Sequence, residues 1–176
     1  MPTRILTLAC ALAAVLALAT TAAAKLPAPS SNLIEPAVSI GGVKLGQSVK
    51  KAKAAWGKGE CSGDKRNGSC QYAGTQKQGS ASFGYVDGKV VDMFLSLGLT
   101  KQNKRVYRTP LAALKTVRGI GLGSTHKAAK QAYPKAKEPA GFSVMSLKGK
   151  GRRYMTLSFE NGRIFNLSIG DGEHQG

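Results

Sequence analysis

Apolar residues in the first half of the chain recur with the spacing of a short helix. Val49, Ala52 and Trp56 fall at positions i, i+3 and i+7, which lie on one helical face. Ser48 precedes them as a natural N-cap, and Gly57 follows as a helix stop. The pattern predicts a short, alanine-rich helix that lies on a flat partner, most simply a sheet.

The segment 42–57 recurs in similar form at 119–134. The recurrence includes the Leu-Gly pair before the cap, and Ser48 and Trp56 are replaced by Thr125 and Tyr133. We therefore predict a second helix from Thr125 to Tyr133, ended by Pro134, and a tandem duplication of the chain.

Alternating hydrophobicity after each helix predicts antiparallel strands. Asp87-Gly88 and Asn161-Gly162 are typical of two-residue hairpin turns. A further helix is predicted over 110–117, with Thr109 as its N-cap. The predicted strands are 69–72, 80–86, 89–97, 142–147, 153–159 and 163–169.

These elements predict an α+β fold: two tandem helix-plus-antiparallel-sheet repeats that form one continuous or concave sheet with helices on one face. The expected organisation is a signal peptide (1–24), a flexible linker (25–37), repeat one (38–99), a linker with a short helix (100–118), repeat two (119–170) and a polar tail (171–176).

The N-terminus has the features of an export signal. Arg4 precedes an apolar run over 5–19, and 22–24 is a run of alanines that suits cleavage. An uncleaved membrane anchor is the alternative, but the small residues and the prolines that follow favour cleavage. We expect a secreted, periplasmic or cell-envelope protein with no stable transmembrane span after cleavage.

Cys61 and Cys70 are the cysteines outside the predicted signal, and an even pair in an exported chain indicates a disulfide. The residues between them, 62–69, are mostly turn formers, so the bridge would close a loop. Neither His126 nor His174 is near in sequence, so no metal site and no cofactor are predicted.

The formal net charge of +17 implies attraction to polyanions, although a solvated basic surface explains it equally well. Nucleic acid is disfavoured as a partner because the aromatic residues occupy core-like strand positions and the chain is exported. The candidate partner-binding residues are Lys50, Lys53, Lys77, Lys148, Lys150, Arg152 and Arg153.

Catalysis has little support in the sequence. His126 lacks a sequence pattern that would supply a nucleophile or a carboxylate beside it, and the acidic residues show no paired spacing. The glycines of 119–123 lack the Gly-Lys-Ser/Thr ending of a phosphate-binding loop. We predict a non-enzyme.

The Leu-Gly-x-Ser/Thr caps, the cysteine-bridged loop and the two hairpins resemble the β-lactamase inhibitory protein family. Its wider fold is shared by the small outer-membrane assembly lipoprotein of the β-barrel machinery. The resemblance implies a concave sheet surface that grips a partner protein, with Cys61 and Cys70 matching the disulfide of the first repeat. The family's inhibitory loop corresponds to 73–79, which has no acid or aromatic residue here, and the second disulfide is missing. Inhibition of β-lactamase is therefore not expected.

The first hypothesis is a secreted, non-enzymatic, inhibitor-like binding protein. Its partner would be an extracellular or envelope protein, or an anionic envelope polymer, held by a basic face or a concave sheet. The alternative is a structural component of envelope assembly that contacts membrane proteins and lipid.

Overall fold

The computed structural model describes residues 25–172, in which strands make up most of the regular structure. The predicted signal peptide and His174 lie outside the described residues. Within this range, no helix is long and apolar enough to cross a membrane. The strands are β1 (Leu33–Glu35), β2 (Ser39–Ile40), β3 (Val43–Lys44), β4 (Glu60–Gly63), β5 (Gly68–Ala73), β6 (Ser80–Val86), β7 (Lys89–Ser96), β8 (Gly98–Leu99), β9 (Arg105–Val106), β10 (Lys115–Thr116), β11 (Val144–Lys148), β12 (Arg153–Glu160) and β13 (Arg163–Asp171). The helices are α1 (Val49–Trp56), a 3-10 helix (Pro110–Ala113) and α2 (His126–Ala132).

One seven-stranded antiparallel sheet is the main element of the fold. Its strand order is β11-β12-β13-β7-β6-β5-β4. The pairing of β7 with β13 joins the two halves of the chain and sets Met93 opposite Ile169 and Leu95 opposite Leu167. Two smaller sheets accompany it, with strand orders β10-β1-β2-β3 and β8-β9.

The core lies on one face of the seven-stranded sheet, where alternate residues of each strand are buried. Trp56, at the end of α1, packs edge-on against Tyr72 and Phe83, with ring centroids 5.4 and 5.9 Å away. Its indole Nε1 donates to the carbonyl oxygen of Ile40 at 3.1 Å, in a fully buried position. Trp56 therefore connects α1, the four-stranded sheet that contains Ile40 and the seven-stranded sheet.

Both helices begin where the chain crosses a hairpin of the large sheet. The backbone N–H of Gly46 donates to the carbonyl oxygen of Val90, and the backbone N–H of Gly123 donates to the carbonyl oxygen of Ile164. The Thr125 hydroxyl caps α2 by accepting from the backbone N–H of Ala128 at 3.1 Å. Ser48 occupies the N-cap of α1, but its side chain makes no capping hydrogen bond, so the predicted role of this hydroxyl is wrong.

The predicted architecture of two tandem helix-plus-sheet α+β repeats is wrong. The described chain is mainly β structure, and its two α-helices span only eight and seven residues. The strands of both halves belong to a single large sheet, to which the first half contributes four strands and the second three. Each half gives a short helix followed by antiparallel strands, but these strands join one sheet rather than two, and β4 has no counterpart in the second half.

Two segments form structure other than the one predicted from the sequence. The predicted flexible linker, 25–37, contains β1 and places Ile34 and Ala37 in the core. The predicted helix over 110–117 is replaced by the short 3-10 helix and by β10, which pairs in parallel with β1. In both segments, contacts with residues distant in sequence override local preference.

The Cys61–Cys70 disulfide is present, as predicted. The cysteines face each other across β4 and β5, so part of the predicted loop 62–69 is in fact a paired hairpin. β4 was missed because Glu60–Gly63 has no alternating hydrophobic pattern; all four of its residues are exposed.

We predict that Trp56→Ala lowers the free energy of unfolding by about 3–5 kcal/mol, because it empties a large core site and leaves the carbonyl oxygen of Ile40 without its donor. Denaturant titration followed by circular dichroism measures the change. Phe142→Ala is the matched control, since Phe142 is 71% exposed and its truncation should change stability by no more than about 0.5 kcal/mol. Equal effects of the two substitutions would contradict the assigned role of Trp56.

Removing the disulfide by Cys61→Ala with Cys70→Ala should cost about 2–3 kcal/mol, the chain-entropy value for a sequence separation of 9. Urea titration of the double variant and of the dithiothreitol-treated parent should give the same loss. A loss seen only with the reductant would point to an effect other than this bridge.

Candidate functional site

The face of the seven-stranded sheet opposite the core is lined by polar and small side chains. We call it the open face; at one end it borders β8 and β9, whose Leu99 and Arg105 line a depression together with Ser80 and Ser96. Cross-strand register orders its residues in three rows, because directly paired residues of antiparallel strands point to the same side. The middle row consists of Gln71, Ser82, Phe94, Ser168, Thr156 and Ser146.

A second row is equally rich in small polar groups. It consists of Ala73, Ser80, Ser96, Asn166, Ser158 and Val144. Within the described part of the chain, the hydroxyls of Ser82, Thr156 and Ser168 make no hydrogen bond with protein atoms. These groups are therefore available to a partner.

Phe94 is the large apolar residue in the middle of this face. It lies between Ser82 and Ser168 in the register and is 36% exposed. Aromatic residues, phenylalanine among them, are enriched at the cores of protein interfaces, so this ring is suited to anchor a partner on the open face.

The third row contains the ionisable groups of the open face. Gly84, Asp92, Gly170, Tyr154 and, at the sheet edge, Lys148 follow one another across five strands. The Asp92 carboxylate accepts from the backbone N–H of Gly84 at 2.9 Å. A Cβ atom at Gly170 would lie only 2.5 Å from the Tyr154 hydroxyl oxygen, so glycine leaves room for that side chain.

The environment of Tyr154 shifts its acidity. Burial raises the pKa of the Tyr154 hydroxyl above its usual value, and the negative charges of Asp92 and Asp171 raise it further. The folded state therefore holds this proton more tightly than the unfolded chain does. Its stabilising contribution is complete below the ordinary tyrosine pKa and is lost as pH rises through the folded-state value.

The basic residues predicted to bind a partner do not come together. Lys50 and Lys53 line a cleft of about 610 Å³ beside the disulfide hairpin, together with Lys65. Lys148 lies in β11, at the opposite edge of the large sheet. Six strand spacings of about 4.8 Å separate the two edges by roughly 29 Å.

The other predicted residues occupy two turns at opposite ends of the strands. Lys77 lies in the turn that follows β5, near the row that contains Ser80. Lys150 and Arg152 are exposed in the turn between β11 and β12, and Arg153 forms an ion pair with Asp171 at 3.6 Å. The candidates therefore belong to at least three separate surfaces.

His126 contacts other side chains and lines no cleft described here. Its Nε2 lies 3.2 Å from a carboxylate oxygen of Glu138, and its ring packs edge-on against Phe159. Among the described residues, no group of three or more histidine, cysteine, aspartate or glutamate side chains could hold a metal ion.

Sequence reasoning did not identify Phe94 or the hydroxyl rows as a site. The sequence does contain an indication of Phe94, because this residue is the apolar one among the alternate, otherwise polar positions Asp92, Phe94 and Ser96 of β7. The rows could not be read from the sequence, since they combine strands whose order in the sheet is set by tertiary pairing.

Comparison with known proteins yields distant structural likenesses. No protein-family model and no curated protein matches the chain. A solved extracellular protein containing an SCP domain, from Bacillus anthracis str. Ames, superposes with a TM-score of 0.50 at 13% identity over 73% of this chain. A cysteine-rich secretory protein from Staphylococcus aureus subsp. aureus Mu50 gives a TM-score of 0.45 at 10% identity over 85% of this chain. This chain spans 44% of the first protein and 52% of the second, so it matches about half the length of each.

The likeness to the Bacillus anthracis SCP-domain protein corrects the resemblance inferred from the sequence. The assignment to the β-lactamase inhibitory protein family is wrong. The short Leu-Gly-x-Ser/Thr caps and hairpins that suggested it are local features compatible with other folds. The secreted or cell-envelope location predicted from the sequence agrees with the extracellular location of the Bacillus anthracis protein.

We predict that Asp92→Asn lowers the pKa of Tyr154, because it removes a negative charge that disfavours the tyrosinate. Ultraviolet titration of tyrosinate measures this, and subtraction of the curve of a Tyr154→Phe variant isolates Tyr154 from the other tyrosines. Asp87→Asn is the control, since Asp87 pairs with Arg66 in another turn. An unchanged pKa of Tyr154 in the Asp92→Asn variant would contradict the proximity of these two side chains in the third row.

Proposed function

We propose that the protein is a secreted, non-enzymatic binding protein that holds a partner protein on its open face. The observation that carries the proposal is the exposed Phe94 ring at the centre of unengaged hydroxyl groups. The partner chemistry that fits is a polar protein surface with donors and acceptors for the hydroxyls and an apolar recess for the ring.

The size of the open face supports a protein partner. Seven strands at about 4.8 Å spacing make it roughly 34 Å wide, and central strands of about seven residues make it roughly 24 Å long. The product is a footprint of about 800 Å², which is comparable in scale with the accessible surface that each partner buries in a standard protein–protein interface.

The charge of the open face supports the same choice. Its centre carries the Asp92 carboxylate and no basic side chain, although the whole chain has a net charge of +17. A contact made by Phe94 and neutral hydroxyls depends little on ionic strength, because salt screens interactions between charges. Polyanion binding by the lysine and arginine clusters would instead weaken as salt is added.

The alternative role, a structural component of envelope assembly, requires contact with membrane proteins and lipid. It shares the use of a protein-binding face but adds an interaction with bilayers. Sedimentation with zwitterionic lipid vesicles separates the two, since the binding-protein proposal requires no retention at physiological salt on a bilayer without net charge.

We expect Phe94→Ala to weaken retention of the partner at least tenfold, corresponding to loss of an aromatic hot spot. The purified protein is immobilised, cell-envelope extract of the producing organism is applied, and bound protein is eluted first with salt and then with denaturant. Partner retained through high salt by the parent, but not by Phe94→Ala, is the expected result.

Two further variants make this experiment specific. Phe142→Ala removes an aromatic side chain that is 71% exposed but lies outside the open face, and it should retain the partner fully. Thr156→Arg places a bulky charge in the middle row and should block binding. The proposal would be overturned if all bound protein eluted at moderate salt, or if the immobilised Phe94→Ala variant retained as much partner as the parent.

A further inference from the structure

Two arginines line one cleft beside α2 without an acidic partner. Arg118 and Arg163 both border a depression of about 680 Å³, together with the hydroxyl-bearing Ser124 and Thr125. Neither arginine takes part in an ion pair within the described residues, and no acid lines this cleft. Their positive charges are therefore uncompensated where they meet the cleft.

Each of the two guanidinium groups is held in place by a ring and a backbone carbonyl. Arg118 donates to the carbonyl oxygen of Ala132 and lies 5.4 Å from the centroid of the Tyr133 ring. Arg163 donates to the carbonyl oxygen of Gly123 at 3.0 Å and lies 5.7 Å from the centroid of the Tyr107 ring.

These contacts orient the two guanidinium groups before any ligand arrives. Each arginine then loses little rotamer freedom when it binds an anion, and its other N–H groups remain free to donate.

The cationic surface continues beyond this cleft. A second depression of about 370 Å³ shares Arg118 and is also lined by Lys135 and Lys148, again without an acid. We call Arg163, Arg118, Lys135 and Lys148 the basic track. The nearby Glu138 is engaged by His126 and Lys130 instead, at 3.2 and 3.5 Å.

The spacing of the track suits a chain of charges better than a single ion. Arg163 bonds to a carbonyl that precedes α2, whereas Arg118 bonds to the carbonyl of the last residue of α2. The length of α2, roughly 10 Å for seven residues at 1.5 Å each, lies between these two anchor carbonyls. Anchors this far apart favour a ligand with successive anionic groups over a single phosphate when both arginines bind at once.

We propose that the basic track binds a linear polyanion whose charges are phosphates. Phosphate oxygens accept two parallel N–H bonds from a guanidinium and also accept from a lysine point charge, so one ligand chemistry serves all four residues. The site lies at the α2 end of the fold and meets the open face only at its edge, where Lys148 pairs with Tyr154. It does not depend on the function proposed for that face.

The test uses linear inorganic polyphosphate of about 15 phosphates as the probe, with binding to the purified protein followed by isothermal titration calorimetry. Arg118→Gln with Arg163→Gln should weaken binding at least tenfold and reduce the slope of log affinity against log salt, because fewer counterions are released. Lys135→Gln with Lys148→Gln should act in the same direction. This second pair lies outside the ring and carbonyl contacts that hold the arginines, so it keeps the test valid if loss of those contacts unfolds the protein.

The matched control is Lys50→Gln with Lys53→Gln, which removes the same charge at the opposite edge of the sheet and should weaken binding no more than threefold. Orthophosphate should not compete at equal phosphate concentration, and polyglutamate of equal charge should bind more weakly than polyphosphate. Equal losses in the control and in both track variants would overturn the proposal. Equal competition by orthophosphate, or tighter binding of polyglutamate, would overturn it as well.

Discussion

The pairing of β7 with β13 is the constraint on which the rest of the structure depends. It places Met93 and Leu95 beside Ile169 and Leu167, all fully buried, and thereby makes one sheet from strands far apart in sequence. Because side chains alternate along a strand, burial of this set forces Phe94 and Ser168 to the other side. The same pairing that forms the core thus forms the centre of the open face.

The structure separates two kinds of surface that the sequence composition merges. The open face carries no basic side chain at its centre and offers an aromatic ring and hydroxyls there, whereas the positive charge lies at the sheet edges, in turns and beside α2. The first kind of surface binds through area and shape, and the second through charge that salt screens. A net charge alone therefore does not identify the chemistry of the partner.

Local features were predictable from the sequence because they depend on neighbouring residues. The helix 49–56, the hairpin turns and the disulfide follow from periodicity, glycine and cysteine pairing. The parallel pairing of β1 with β10 could not be predicted, since neither strand has a hydrophobic repeat and each is stabilised by the other. The overall architecture was missed for the same reason: similar helix starts do not determine how the remaining strands pair.

The candidate sites follow the same division. The sequence drew attention to dense runs of lysine and arginine, yet the structure distributes them over several surfaces. Arg118 and Arg163 belong to no such run, and what distinguishes them is tertiary: each lies near an aromatic ring, and the two border one cleft. An arginine held in this way without a carboxylate keeps both its orientation and its charge, and these two properties are what anion recognition requires. For this chain, the arrangement of cations is therefore a better guide to function than their number.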